Sequence, residues 1–286
     1  MKKLLILSGK GGTGKTTTAA SFIRFANAKA VADCDVDAPN LHLVTENDVK
    51  PREAEFLGAE KAWIDLNRCT GCGKCMEFCR FHAIEKKEGH CHISEFACEG
   101  CGLCEKVCPN GAIHMKEDVA GHMDLYKGDR VFSTAELKMG RGNSGKLVSE
   151  VKMRLFQAAD DTEIAIIDGS PGIGCPVISS ISGMDMVLIV AEPSVSGVND
   201  LQRLLHTIEI LQTEAVVCVN KWDISPEQTE KIEEICKENN IVFAGKIPYD
   251  SHASEAINKG ISLADIDCPA RDALYEIYQK VREELL

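Results

Sequence analysis

Cys69, Cys72, Cys75 and Cys79 are spaced C-x2-C-x2-C-x3-C, and Cys98, Cys101, Cys104 and Cys108 repeat that spacing 29 residues later. Pro109 follows the second run, and Ala83-Ile84 returns as Ala112-Ile113, so the repeat reaches past the cysteines. Few patterns constrain a chain more. Thiolates are soft ligands, and two-residue spacing lets three sulfurs wrap one metal–sulfur centre. A structural zinc site needs four ligands, so eight evenly repeated cysteines suit iron–sulfur chemistry better.

A second motif stands upstream. Gly9-Lys10-Gly11-Gly12-Thr13-Gly14-Lys15-Thr16 fits G-x-x-x-x-G-K-[ST]. Leu4 to Leu7 is a short apolar run that reads as a buried strand. Lys15 to about Ala28 reads as a helix with Ala19, Phe22, Ile23 and Ala26 on one face. Strand, glycine loop and helix therefore occur in the order a phosphate-binding loop requires. Backbone N–H groups from Gly9 to Thr17 would face the phosphates at a helix N-terminus. Lys15 would reach the β- and γ-phosphates, and the Thr16 hydroxyl would ligate Mg²⁺. Gly140-Arg141-Gly142-Asn143-Ser144-Gly145-Lys146 matches the same pattern only as far as its lysine. Leu147 then replaces Ser or Thr and no strand precedes it, so it reads as a loop beside the cysteine-rich segment.

The 286 residues are 44% apolar, enough for one large core and a smaller module. The net charge of −12 argues against nucleic-acid partners, which recruit basic patches. No apolar run approaches the roughly 18 residues of a membrane span. Met1 to Ser8 reads as a first strand rather than a signal peptide, so a cytoplasmic location is expected. Fourteen cysteines in a reducing compartment imply metal ligation rather than disulfides.

Val31-Ala32-Asp33-Cys34-Asp35 reads as a second strand ending in carboxylates. Residues 60–119 carry the cysteine repeat, and a loop-rich stretch of about 30 residues is expected after them. Strands and helices then alternate again through Ile164–Asp168, Met186–Val190, Ala215–Val219 and Ile241–Phe243, closing in a helix from about Ala270. The fold class is α/β, a doubly wound, mostly parallel sheet from residues 1–59 and 120–286, with residues 60–119 inserted.

The cysteine pattern resembles the bacterial two-cluster ferredoxin, a small α+β module. That resemblance implies one [4Fe–4S] cluster on Cys69, Cys72, Cys75 and Cys108, and a second on Cys98, Cys101, Cys104 and Cys79. Arg80 stands where a proline like Pro109 is expected. Lys10, directly after the first loop glycine, resembles the deviant phosphate loop of the MinD/ParA/Mrp/nitrogenase iron protein superfamily. Asp33 to Leu41 resembles its first switch, and Asp168-Gly169-Ser170-Pro171-Gly172-Ile173-Gly174 its Walker B and second switch. The resemblance implies that Lys10 reaches a dimer partner's nucleotide, Asp35 positions the attacking water and Asp168 holds Mg²⁺ through water. Alternatives are a solvated charge for Lys10 and strand-end capping for Asp35; Asp33 and Asp37 read as support or surface. Asn220-Lys221-Trp222-Asp223 has the letters of a guanine-reading motif, yet in this superfamily the asparagine contacts adenine. ATP is favoured, with Asn220 and Lys221 at the nucleotide; helix capping is the alternative for Asn220.

The other cysteines carry less. Cys218 and Cys236 read as core, and Cys34 and Cys268 follow no pattern. Cys91, between His90 and His92, is explained more simply by a strand than by a metal. Cys175 resembles one ligand of the nitrogenase iron protein, but no cysteine between Cys108 and Cys175 supplies the second. It reads as a small buried turn residue.

These readings imply an ATP-dependent homodimer, or a dimer with a paralogous subunit, that exchanges electrons with a protein donor or acceptor. The alternatives are an iron–sulfur or metallocofactor assembly carrier and a redox-sensing regulatory NTPase.

Overall fold

The computed structural model describes residues 1–45, 49–160 and 162–286. The chain divides into two compact units: Met1–Glu53, Met123–Glu136 and Ser144–Leu286 form the first, and Ala54–His122 with Leu137–Asn143 form the second. In chain order the elements begin β1 (Lys2–Leu7), α1 (Lys15–Ala26), β2 (Ala30–Asp33), β3 (Arg52–Leu57) and β4 (Lys61–Ile64). Then come α2 (Lys74–Phe78), β5 (Ile84–Lys87), β6 (His90–Ile93), α3 (Leu103–Val107) and β7 (Ile113–Lys116). β8 (Val119–Lys127), β9 (Val131–Leu137), α4 (Ser144–Ala158), β10 (Ile164–Asp168), α5 (Cys175–Ile181) and β11 (Met186–Ala191) follow. The chain ends through α6 (Val195–Ile210), β12 (Glu214–Asn220), α7 (Pro226–Glu238), β13 (Val242–Ile247), α8 (His252–Lys259) and α9 (Pro269–Leu285).

The large sheet has the order β13-β12-β11-β1-β10-β2-β9-β8-β3. From β13 to β9 every adjacent pair is parallel. Helices cover both faces, which is why Leu4 to Leu7 and Ile164 to Asp168 are buried at every position instead of alternating. Against one face, Leu4, Ile6, Ile166 and Leu188 share a core with Phe22 and Ile23 of α1 and Leu274, Ile277 and Tyr278 of α9. Phe22 meets Tyr278 edge-on, their centroids 5.2 Å apart. On α4, Leu147, Val148, Val151 and Leu155 are buried.

The expected loop-rich stretch after residue 119 is instead ordered. β8 and β9 form a hairpin beside β2, and α4 begins at Ser144. β8 buries Ala120, Met123 and Leu125, close to the period of a half-buried strand, while the i, i+1, i+4, i+8 stripe of α4 starts inside the glycine cluster that suggested a loop. β3 and α8 were likewise not expected from the sequence.

The second unit repeats itself as the sequence does. β4 pairs antiparallel with β7, and β5 with β6. The Cys69 N–H donates to Asp65 O at 3.0 Å, and 29 residues on the Cys98 N–H donates to Ser94 O at 3.0 Å. Asp65 N–H reaches Ala112 O at 2.7 Å, and Ser94 N–H reaches Ala83 O at 2.8 Å. Gly71 and Gly100 both have left-handed backbones, φ 64° and 70°, and a Cβ on either would overlap a carbonyl oxygen, of Gly89 or Glu60. The loop around Arg141 belongs to this unit. Arg141 pairs with Glu95 at 2.7 Å and Asp118 at 2.9 Å and lies over the Phe96 ring. Its likeness to a phosphate loop is therefore one of letters.

Candidate functional site

In a parallel sheet, loops at the carboxyl ends of the strands collect at one edge. Here that edge gathers Gly9 to Thr17 after β1, Asp35 after β2, Ser170 after β10, Asn220 at the end of β12 and Pro248 to Asp250 after β13. A cleft of about 600 Å³ is lined by Gly11, Gly12, Gly14, Lys15, Thr16, Thr17, Asp35, Ser170, Asn220 and Lys221 among others. Gly9, Lys10 and Thr13 face a smaller cavity with Glu192 and Asp200.

Lys15 and Thr16 converge on one carboxylate. The Lys15 ammonium donates to Asp168 Oδ1 at 2.7 Å, and the Thr16 hydroxyl donates to Asp168 Oδ2 at 2.7 Å. Asp35 Oδ2 lies 3.8 Å from Lys15 Nζ. Lys15 and Asp168 are buried. Burial alone would lower the Lys15 pKa, but the charges of Asp168, Asp35 and Asp33 outweigh it and hold the ammonium above its ordinary value.

Asp33 is support rather than surface. Its carboxylate accepts from the backbone N–H groups of Asp35 (3.0 Å), Asn40 (3.0 Å) and Leu41 (2.9 Å), which folds residues 35–41 over the strand end. Asp37 is exposed. Burial, then the neighbouring Asp168 charge, push the Asp33 carboxyl up to about 7. Burial, with Asp168 and Asp37, pushes Asp35 up to about 6 against the opposing pull of Lys15. A carboxyl whose folded pKa exceeds its unfolded value keeps a proton that the unfolded chain has lost. Stability then falls as pH rises from about 4 to about 7. In nucleotide-free protein, Asp33→Asn should flatten this slope in a series of thermal melts between pH 4.5 and 7.5. An unchanged slope would remove Asp33 from the account.

Lys10 is held within its own chain. Its ammonium pairs with Glu192 and donates to Ser194 Oγ at 3.3 Å and Ser196 Oγ at 3.2 Å. Sequence reasoning missed Glu192, although the signal was there: like Asp33 and Asp168, it is an acid at the end of a buried strand. Asn220 Nδ2 donates to Thr13 O at 2.7 Å, tying β12 to the phosphate loop. Lys221 Nζ lies 3.4 Å from Gly12 O. Asp223, the guanine-reading position of N-K-x-D, accepts from Tyr249 N–H at 2.8 Å. Asp250, also missed, accepts from His252 Nδ1 at 2.7 Å and lies close to Cys268.

In the second unit, Cys69, Cys72, Cys75 and Cys108 line one small cavity, and Cys98, Cys101, Cys104 and Cys79 line another. The Ala83 N–H points at Cys79 Sγ (3.4 Å) and the Ala112 N–H at Cys108 Sγ (3.3 Å), which accounts for the repeated alanine. Arg80 is exposed. Cys175 is exposed at the start of α5 rather than buried in a turn, because that position is the helix's first residue, whereas Cys34, Cys218, Cys236 and Cys268 are buried. Among the described residues, no helix is long and apolar enough to cross a membrane.

Residues 4–263 match the CobQ/CobB/MinD/ParA nucleotide-binding domain family. An uncharacterised protein of Methanocaldococcus jannaschii is 34% identical, over 98% of this chain and 96% of its own. An iron–sulfur cluster carrier protein of Pyrococcus abyssi is 24% identical, over 99% of this chain and 86% of its own. The septum site-determining protein MinD of Pyrococcus horikoshii, solved with Mg-ADP, superposes with a TM-score of 0.60 at 16% identity, over 99% of this chain and 96% of that one. With its phosphate loop, its buried Lys15–Asp168 pair and its parallel sheet, the chain belongs to the CobQ/CobB/MinD/ParA nucleotide-binding domain family.

Proposed function

We propose that this protein is an iron–sulfur ATPase of the MinD/ParA type in which ATP binding and hydrolysis are coupled to electron transfer through two [4Fe–4S] clusters held by the second unit. The observation that carries the reading is the gathering of eight repeated thiols into two complete sets of four, each lining its own cavity. The donor chemistry fits. Backbone N–H groups face Cys79 and Cys108, where they would stabilise thiolate ligands. Each bound cluster would supply a one-electron site.

In the first unit, phosphoryl transfer needs positioning and charge neutralisation more than covalent chemistry. Lys15 would exchange Asp168 for the β- and γ-phosphates. Thr16 and Asp168 would hold Mg²⁺, and Asp35 would position the attacking water. Lys10 would leave Glu192 to reach a partner's nucleotide in an ATP-dependent dimer, either a homodimer or one with a paralogous subunit. ATP is favoured over GTP because Asp223 is engaged by the Tyr249 backbone. A protein donor or acceptor would dock on the second unit.

A second reading, iron–sulfur cluster assembly or delivery, is favoured by the relative named as a cluster carrier. Lability separates the two. A complete four-thiol site retains its cluster, whereas a carrier passes its cluster to an apo-protein. After anaerobic reconstitution, about eight iron and eight acid-labile sulfides per chain are expected. MgATP should shift the potential of at least one cluster relative to MgADP. A shift of about 30 mV in a one-electron couple is roughly threefold in ATP affinity, and linkage requires the converse effect. About four iron per chain, or tightly held zinc, would overturn the two-cluster assignment; equal potentials in both nucleotide states would overturn the coupling.

A further inference from the structure

The 29-residue repeat places one unmatched residue at the cysteine cavities. β4 and β6 are repeat-related: Ala62 corresponds to Cys91, and Ile64 to Ile93. Ladder registers agree, since Ile64 faces Ile113 in one antiparallel pair and Ile93 faces Ile84 in the other. Each of these strands lines a cavity. Ala62 lines the one shared by Cys79, Cys98, Cys101 and Cys104. Cys91 lines the one shared by Cys69, Cys72, Cys75 and Cys108. The same position therefore presents a methyl group to one set and a thiol to the other.

Cys91 is a ninth thiol, outside both sets of four. It is 1% exposed and packs with Cys75, Ile64, Ile84 and Ile113. In the cluster-free chain Cys75 and Cys91 adjoin and Cys75 keeps the proton between them; with Cys75 bound to a cluster as thiolate, Cys91 would be the thiol left to donate. A neutral thiol is a weak donor, and a cluster-bound thiolate is an acceptor. Reduction adds one negative charge to a cluster, so a donor to its sulfur ligand stabilises the reduced form more than the oxidised form. Hydrogen bonds to sulfur are among the factors that set iron–sulfur potentials.

Resting on the two-cluster reading, we propose that Cys91 is not a ligand but a thiol donor to Cys75 that makes the two sites unequal. The cluster on Cys69, Cys72, Cys75 and Cys108 then has the higher potential. An electron supplied to the pair by an external one-electron reductant settles there, leaving the cluster on Cys98, Cys101, Cys104 and Cys79 oxidised. The pair thereby acquires a direction that two symmetric half-modules lack.

The test uses the full-length chain, reconstituted anaerobically and titrated with dithionite while each cluster is followed by electron paramagnetic resonance. With eight iron per chain, Cys91→Ala should lower the higher potential, changing the electron's distribution between clusters by at least threefold, roughly 30 mV. Cys91→Ser, which keeps a hydroxyl donor, should retain most of the difference. Ala62→Cys should raise the lower potential and narrow the gap. Cys91→Ala with eight iron and unchanged potentials would overturn the inference alone. Loss of four iron in Cys91→Ala, but not in Cys75→Ala, would make Cys91 a ligand and also overturn it. A wild-type count of about four iron, or zinc in its place, would instead overturn the two-cluster reading on which it rests.

Discussion

Lys15→Ala should abolish nucleotide binding, lowering MgATP affinity by at least about a hundredfold, or about 2.7 kcal/mol at 1.36 kcal/mol per decade. Lys15 is the buried cation among Asp168, Asp35 and Asp33 at the mouth of the phosphate loop. Without it, the negative charge of Asp35 at the cleft, with Asp168 and Asp33 buried behind it, is left uncompensated against the incoming phosphates. Lys10→Ala should behave differently. Its ammonium sits on Glu192, Ser194 and Ser196, away from Asp168, so binding should stay within about threefold of wild type. Hydrolysis should fall by about a thousandfold, the lower range for losing a charge supplied to the transition state from a partner. Fluorescent-nucleotide titration and phosphate-release assays separate the two effects. Normal hydrolysis by Lys10→Ala would dismiss its action across a dimer.

Anaerobic chelation should unfold the second unit while leaving nucleotide binding in the first within tenfold. The core of the second unit is slight. Ile64, Ile84 and Ile113 with Cys75 and Cys91 make up its buried cluster, and its strands β4 to β7 have four residues each. Cores of this size rarely supply more than about 3–5 kcal/mol, so metal binding would carry much of the folding free energy. Amide exchange in β4–β7 and β5–β6 should accelerate more than about a hundredfold after iron removal, about 2.7 kcal/mol. Unchanged protection would show that the unit folds on side-chain packing alone and that the clusters are dispensable to it.

The registers of these strand pairs illustrate how unevenly the fold was legible. The 29-residue period was visible in the cysteines and in Ala83-Ile84 against Ala112-Ile113. Its extension upstream to Ala62 and Cys91 was not, because Lys-Ala-Trp-Ile and His-Cys-His-Ile share little chemistry. Only the ladders show that both strands occupy equivalent places. Residues 119–158 misled for a related reason: glycines at 140, 142 and 145 signal a loop, yet Gly145 lies within α4, where a Cβ would collide with Ser179 Oγ.

What the sequence determined by itself is the chemistry that rests on short spacing. The glycines, Lys15 and Thr16 belong to one turn and one helix start, and each run of cysteines spans a single loop and one short helix. Local geometry places such residues together in any fold that lets the segment form. The tertiary structure decided the pairs that no local segment fixes: Lys10 with Glu192, Thr13 with Asn220, and Tyr249 with Asp223. These depend on strand order. β1 lies between β10 and β11, and β12 lies beyond β11, so acids and amides distant in sequence arrive at one edge of the sheet. A hydrophobic strand pattern states that a strand is buried but not which neighbour it takes, and that choice is made by packing the whole core.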